Sequence, residues 1–143
     1  MSNPSPGLIE NAKTILTQNY CNFNDRARRS EFWMFVLFNI IVETILGAIG
    51  GFLDFVVLKT QTGYITSSLL SLYSLIIFIP GLAVDIRRLH DTGKSGWYIL
   101  VVFIPIVGGF ILLYFFVQDS QQEQNEYGIS PKYGGMITGP MMA

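Results

Sequence analysis

The chain has 143 residues, of which half are hydrophobic and 13% are charged, with a formal net charge of −1. A soluble domain carries roughly 25% charged residues, so this chain has too few polar side chains to cover a water-soluble globule. The balanced charge argues against nucleic-acid binding, for which a basic face is the first sign. Cys21 is the single cysteine, so we expect neither an intrachain disulfide nor a cysteine-based zinc site.

The first 30 residues predict an amphipathic helix that lies on a membrane surface. Apolar side chains recur there at helical spacing, at Leu8, Ile9, Ala12, Ile15, Leu16, Tyr20 and Phe23. Ser5 and Pro6 are typical of a helix N-cap and a first helical position. The segment lacks the apolar core of a cleavable signal peptide, so we expect it to stay attached to the first span.

Three apolar runs follow, at residues 32–58, 67–84 and 96–117, and predict membrane-spanning helices. A helix needs about 20 apolar residues to cross the hydrocarbon core, and each run reaches or approaches that length. We therefore expect residues 31–117 to form an all-α integral membrane domain with three transmembrane helices. Residues 118–143 form a polar tail, and the composition of its last ten residues is typical of disorder.

The positions of lysine and arginine predict the orientation. The segment before the first run carries Lys13, Arg26, Arg28 and Arg29, and the connection between the second and third runs carries Arg87, Arg88 and Lys94. The positive-inside rule places the N-terminus and this connection in the cytoplasm. A single crossing by the third run would then put the C-terminus outside. Alternatively, the run folds back at "IPIVGG" as a re-entrant hairpin, but arms of about 9–12 residues are too short to span, which favours the single crossing.

The stretch "VDIRRLHDTGKSGWYIL" holds the only histidine of the chain. One interpretation is structural: a helix continues to about His90, Gly93 ends it in a left-handed conformation, and Ser95 caps the next helix. The other interpretation is an anion receptor, because an arginine guanidinium matches the geometry of a phosphate. The candidate binding residues are Arg26, Arg29, Arg87, Arg88, His90, Asp91, Ser95 and Trp97.

We expect a non-enzymatic accessory protein whose partner is an anionic lipid headgroup, an acidic segment of a larger membrane complex, or another copy of the chain. His90 and Asp91 are adjacent, so they cannot face each other on a helix, and no nucleophile is marked. An enzyme that acts on lipid headgroups is therefore the weaker alternative. We expect no cofactor and no metal site, because one histidine with unevenly spaced carboxylates cannot form a zinc centre.

Glu43 falls near the middle of the first run, one helical turn after Asn39. A carboxylate at this depth is costly and is by default a functional hypothesis, such as a proton relay in a small transporter or channel-like oligomer. The structural alternative is a neutral glutamic acid. Its hydrogen-bonding candidates in the second run are Ser71, Tyr73 and Ser74.

Four motifs in this order, "FNDRARRSEFW", "RRLHDTGKSGWY", "IPIVGG" and "NEYGISPKY", resemble a family of small bacterial membrane proteins, domain of unknown function 805. The resemblance covers about Tyr20 to Tyr133 and implies a helical inner-membrane protein without an assigned activity. The positions that match in the tail are Asn125, Tyr127, Gly128 and Pro131. This tail motif predicts a specific turn. Docking of the turn against the Arg/His stretch would require both to lie on one side of the membrane, which favours the re-entrant alternative.

Overall fold

The structure is a computed structural model that describes residues 5–59 and 62–134. These two ranges are helical, without a β-strand. The elements are α1 (Leu8–Thr17), α2 (Arg29–Val56), α3 (Tyr64–Asp91), a 3-10 helix (Gly96–Phe103) and α4 (Val107–Val117). The predicted disorder of the last ten residues concerns positions that, except for Gly134, lie outside the described residues.

The helices α2 and α3 form an antiparallel pair. Each has 28 residues and includes an 18-residue window with a mean hydropathy of 2.1, so each is long and apolar enough to cross a membrane. The pair comes close at Gly50, where an added Cβ would lie 2.6 Å from the Cα atom of Thr66. Asp54, which is buried, closes the far end of the pair, since its carboxylate accepts the backbone N–H groups of Ile65 at 2.9 Å and Thr66 at 3.0 Å. Backbone N–H groups in the first turn of a helix have no acceptor within that helix, so Asp54 of α2 caps α3.

The predicted N-terminal helix is present as α1, but it starts at Leu8 with Gly7 as its N-cap residue rather than at Ser5 and Pro6. Its apolar side is directed into the protein. Ile15 is fully buried and packs with Phe32, Phe35 and Val84 of the long helices. The expectation that this side lies free on the bilayer is therefore not confirmed.

The third apolar run is not one continuous helix. The 3-10 helix ends at Phe103, Ile104 is extended before Pro105, and Ile106 has a positive φ of 66°. A residue before proline disfavours the helical conformation, which explains the break. An added Cβ at Gly108 would collide with the Val101 carbonyl oxygen, so glycine is needed where the two arms meet.

The chain then turns back on itself. The rings of Tyr98 and Phe115 lie edge to face with centroids 5.8 Å apart, and the Nζ atom of Lys94 lies 5.7 Å from the centroid of Phe115. Thus the beginning of the 3-10 helix and the end of α4 are neighbours. The expectation of a single third span is therefore not confirmed, and the path of the chain is that of the hairpin alternative.

Pro80 explains one long-range contact in the middle of α3. Proline lacks an N–H group, so the carbonyl oxygen of Ile76 loses its usual partner in the helix. The hydroxyl of Tyr20 donates a hydrogen bond to this oxygen at 2.7 Å. This bond attaches the loop after α1 to α3 at the turn where the helix lacks one backbone hydrogen bond.

We predict that Gly108→Ala destabilises the protein, because overpacking against a neighbouring backbone typically costs about 1–3 kcal/mol. Gly109→Ala is the matched control, since an added Cβ at Gly109 meets nothing within 4 Å. In a continuous helix both alanines would stabilise, because alanine is the better helix former. Melting temperatures in mild detergent distinguish the cases, and two equal increases would contradict the hairpin.

Candidate functional site

Three segments that are far apart in the sequence meet at the C-terminal end of α3. The backbone N–H of Ala27, just before α2, donates to the carbonyl oxygen of Arg87 at 2.9 Å. The backbone N–H of Gln121, in the tail, donates to the carbonyl oxygen of Asp91 at 3.1 Å. The segment before α2, the end of α3 and the tail therefore form one site.

The centre of this site is the carboxylate of Asp91, which is fully buried. Its Oδ1 atom accepts a hydrogen bond from Nε of Arg26 at 3.1 Å. Its Oδ2 atom accepts from the guanidinium of Arg88 and from the hydroxyl of Ser120. We call these four residues the ion cluster. A buried charge is tolerated only when it is paired and hydrogen-bonded, and the cluster satisfies that condition for the carboxylate.

Arg26 also fastens the tail. Its Nη1 atom donates to the carbonyl oxygens of Glu123 at 3.0 Å and Gly128 at 3.1 Å. Its Nη2 atom donates to the carbonyl oxygens of Gln121 at 2.7 Å and Asp91 at 3.3 Å. With the bond from Nε, all five N–H groups of a guanidinium have acceptors. An arginine that precedes α2 thus fixes the fold of a segment that follows α4.

Arg88 has the corresponding role at the end of α4. Its Nε atom donates to the carbonyl oxygen of Phe116 at 3.2 Å, and its Nη2 atom donates to that of Gln118. The last carbonyls of a helix have no partner within it, and a cation at this end also complements the helix dipole. Arg88 therefore caps α4 while it pairs with Asp91.

Arg87 is buried as well, and its Nη1 atom pairs with Oε1 of Glu31 at 2.8 Å. Its Nε and Nη2 atoms are buried without a hydrogen-bond partner in the described structure. Arg26, Arg87, Arg88 and Asp91 all point inward. The geometry does not support an anion receptor built on these arginines, because their donors either serve the protein or are shielded from solvent.

The remaining candidate residues lie nearer the surface. Arg29 is exposed and its Nη1 atom lies 3.4 Å from the carbonyl oxygen of Val117. Trp97 is 78% exposed. Two structural predictions are confirmed, since Gly93 has a φ of 72° just after α3, and Ser95 caps the 3-10 helix by accepting the backbone N–H of Trp97.

His90 stacks on Tyr127 of the tail, with ring centroids 3.7 Å apart and an interplanar angle of 3°. Asn125 builds the turn that presents this tyrosine. Its Oδ1 atom accepts the backbone N–H of Tyr127 at 3.0 Å, and its Nδ2 atom donates to the carbonyl oxygen of His90 at 2.9 Å. Gly128 completes the turn with a φ of 114°, and Pro131 lies half-buried beyond it. The tail motif therefore docks on the Arg/His stretch, a contact that the sequence left open.

Beside the stacked rings is a cavity of about 340 Å³, which we call the His90 pocket. Its polar groups are His90, Ser95 and Tyr127, and its apolar walls include Phe23, Ile86, Trp97 and Leu100. Gly96 is required here, because an added Cβ would lie 2.8 Å from Cγ2 of Ile86 and 3.4 Å from Nε2 of His90. Loss of hydration, followed by the neighbouring Glu126, raises the pKa of the Tyr127 phenol, so this group remains a protonated donor.

Asn39 and Glu43, the polar candidates of the first apolar run, have different surroundings in the structure. The hydroxyl of Tyr73 donates to Oδ1 of Asn39 at 2.6 Å, so this tyrosine is the partner of Asn39 rather than of Glu43. The hydroxyl of Ser74 donates within α3, to the carbonyl oxygen of Leu70. Glu43 is exposed on α2 and lines a groove of about 300 Å³ together with Asp85. Asn39 thus takes part in a hydrogen bond between α2 and α3, whereas Glu43 lies on the exposed surface of α2.

Sequence reasoning missed Ser120 and Glu31 as partners of the arginines. A polar residue in a tail has no periodicity that marks it as buried, so Ser120 left no signal. Glu31 did leave one, because an acidic side chain close to several arginines at one membrane interface is a candidate ion-pair partner. Among the described residues, no group of three or more His, Cys, Asp or Glu side chains could hold a metal ion.

We predict that Asp91→Asn lowers stability strongly, because removal of one partner from a buried ion pair typically costs about 3–5 kcal/mol. The tail should also become accessible, so limited proteolysis should cleave it faster. Asp119→Asn is the control, since it breaks an exposed pair with Lys132 that should contribute at most about 1 kcal/mol. Equal melting temperatures for the two variants would contradict the central role of Asp91.

A family model described as "Protein of unknown function (DUF805)" matches residues 20–129, which include every candidate site residue except Pro131. Inner membrane protein YhaI of Escherichia coli (strain K12) is 42% identical over 117 residues, which cover 82% of this chain and 92% of that protein. Inner membrane protein YhaH of the same strain is 38% identical over 115 residues, covering 80% of this chain and 91% of that protein. No solved structure matches the chain.

Proposed function

Because the chain belongs to the DUF805 family, which has no described function, we propose a function from its geometry: a non-enzymatic inner-membrane protein that binds a membrane lipid in the His90 pocket. The family resemblance carried by the four motifs is confirmed, and the relatives are named inner membrane proteins. The observation that carries the proposal is an apolar pocket with a few polar groups, next to the exposed Trp97.

The proposal includes a topology. The helices α2 and α3 cross the bilayer, and the hairpin of the 3-10 helix and α4 enters and leaves on the side where α2 begins. Arg26 precedes α2 and is bonded to tail carbonyls, so the N-terminal segment and the tail share one side. Basic residues are concentrated before α2 and at the end of α3, whereas the connection at the other end of the pair has only Lys59. The positive-inside rule therefore favours a cytoplasmic location for the side with the basic residues.

This topology puts the His90 pocket at the cytoplasmic interface. The pocket opens beside the 3-10 helix, where Trp97, Leu100 and Phe103 are exposed apolar side chains. Tryptophan is typical of the interface between headgroups and hydrocarbon. Ligand pockets measure roughly 300–1,000 Å³. The His90 pocket is at the low end of that range and fits a headgroup or part of one acyl chain.

Anionic lipids are attracted to the same leaflet by the cations that stay at the surface. Arg29 is exposed, Lys13 is exposed, and Lys94 is half-buried. Each basic residue near an anionic surface contributes roughly 1 kcal/mol. The buried arginines of the ion cluster do not add to this attraction by direct contact. An acidic segment of a partner protein or a second copy could use the same exposed cations.

We propose binding rather than catalysis because the side chains of His90 and Asp91 bond to different groups and not to each other. The Asp91 carboxylate is bonded to Arg26, Arg88 and Ser120. The His90 ring contacts Tyr127 and the backbone of Asp25 instead. Among the described residues no carboxylate is hydrogen-bonded to the imidazole, so the arrangement lacks the group that orients the base of an acid–base site.

A second candidate function uses Glu43. Its carboxylate is exposed on α2 and shares a groove with Asp85 and Ser74 of α3. Ionisable groups at this depth mark proton or ion paths in transporters. A small transporter or channel-like oligomer therefore stays a prediction, and it does not depend on the His90 pocket.

We predict that Gly96→Ala reduces lipid retention several-fold, because the added methyl group enters the pocket beside Ile86 and His90. The measurement is lipid counted per chain by native mass spectrometry after purification in mild detergent. Gly81→Ala is the control, since its Cβ meets nothing within 4 Å and Gly81 lines the Glu43 groove instead. Lipid retention that is unchanged in folded Gly96→Ala protein would overturn the proposed site.

A further inference from the structure

The two nitrogen atoms of the His90 ring have different surroundings. The Nδ1 atom lies 3.3 Å from the backbone carbonyl oxygen of Asp25. A carbonyl oxygen only accepts hydrogen bonds, so Nδ1 carries the proton that the two atoms share. In the neutral ring the proton on Nδ1 leaves Nε2 as an unprotonated acceptor.

The ring is also held in place, which fixes the direction of Nε2. Tyr127 stacks on one face at 3.7 Å, and Asn125 binds the carbonyl oxygen of His90 at 2.9 Å. The Nε2 atom lies on the side of Gly96, where it would be 3.4 Å from an added Cβ. Gly96 and His90 both line the His90 pocket. The pocket therefore holds a hydrogen-bond acceptor whose orientation is set by the protein.

The same pocket offers little to a bare anion. Three arginines are close in sequence to residues that line the pocket, and all three are buried and directed into the protein: Arg26, Arg87 and Arg88. The Nζ atom of Lys94 lies over the ring of Phe115, on the hairpin. Recognition in this pocket would thus depend on a donor from the ligand, with apolar contacts to Phe23, Ile86 and Leu100.

We infer that the His90 pocket selects a phospholipid whose headgroup donates a hydrogen bond to Nε2 of His90, from either a primary ammonium or a hydroxyl group. This inference rests on the proposed function and adds the class of headgroup. Phosphatidylethanolamine supplies the ammonium and phosphatidylglycerol supplies hydroxyls. Phosphatidylcholine is the matched negative case, because it has the charges of phosphatidylethanolamine but no N–H donor. An acceptor left unpaired on binding weakens the complex, by roughly tenfold for a typical hydrogen bond.

The experiment titrates the purified full chain in mild detergent with each of the three lipids, at matched acyl chains, and counts bound lipid by native mass spectrometry. We expect phosphatidylethanolamine, phosphatidylglycerol or both to bind roughly tenfold more tightly than phosphatidylcholine. His90→Phe keeps a flat ring against Tyr127 and removes the acceptor. In this variant the preference should vanish while the affinity for phosphatidylcholine stays the same.

The outcomes separate this inference from the proposed function. Equal affinity of the wild-type chain for all three lipids overturns the inference, and this result needs no folded variant. A preference that survives in His90→Phe overturns it too. If lipid binds without preference and Gly96→Ala still weakens it, the pocket remains a lipid site and only the headgroup assignment fails. If no lipid binds, or Gly96→Ala changes nothing, the proposed function fails together with the inference.

Discussion

The carboxylate of Asp91 is the interaction on which the rest of the structure depends. It forms ion pairs with two buried arginines, one from the segment before α2 and one from the end of α3. Those arginines use their other N–H groups to bind carbonyls of α4 and the tail. Because the tail is held there, Tyr127 reaches His90 and completes the His90 pocket. The ion cluster thus positions a site that is itself nearly uncharged.

The sequence predicted the helical membrane domain correctly, because apolar runs of that length have few other structures available. It also identified the stop at Gly93 and the cap at Ser95, which depend on local backbone chemistry. It did not show which way the arginines point, since an arginine looks the same in a sequence whether it faces phosphate or a buried carboxylate. A hydropathy profile shows that the third run is apolar but does not show that the chain reverses direction within it. Pro105 and Gly108 were the residues that indicated the hairpin.

The arrangement also explains why a small chain devotes so many polar groups to one end. The two ends of the hairpin lie together, and Arg88 and Arg26 hold its C-terminal end and the tail there by binding backbone carbonyls. At the other end Asp54 caps α3, so both ends of the helix pair are closed by buried carboxylates. Between them, Glu43 is exposed rather than bonded to Tyr73, which keeps the transporter hypothesis separate from the site at His90.

The tail and the segment before α2 lie together, because Arg26 binds both Asp91 and the tail. We propose that both are cytoplasmic, because the basic residues are concentrated at this end of the helix pair. Fusions of green fluorescent protein and of alkaline phosphatase to the C-terminus, expressed in a bacterium, test it most directly. We expect the first fusion to be fluorescent and the second to be inactive. Active phosphatase at the C-terminus would place the tail outside and contradict the cytoplasmic assignment.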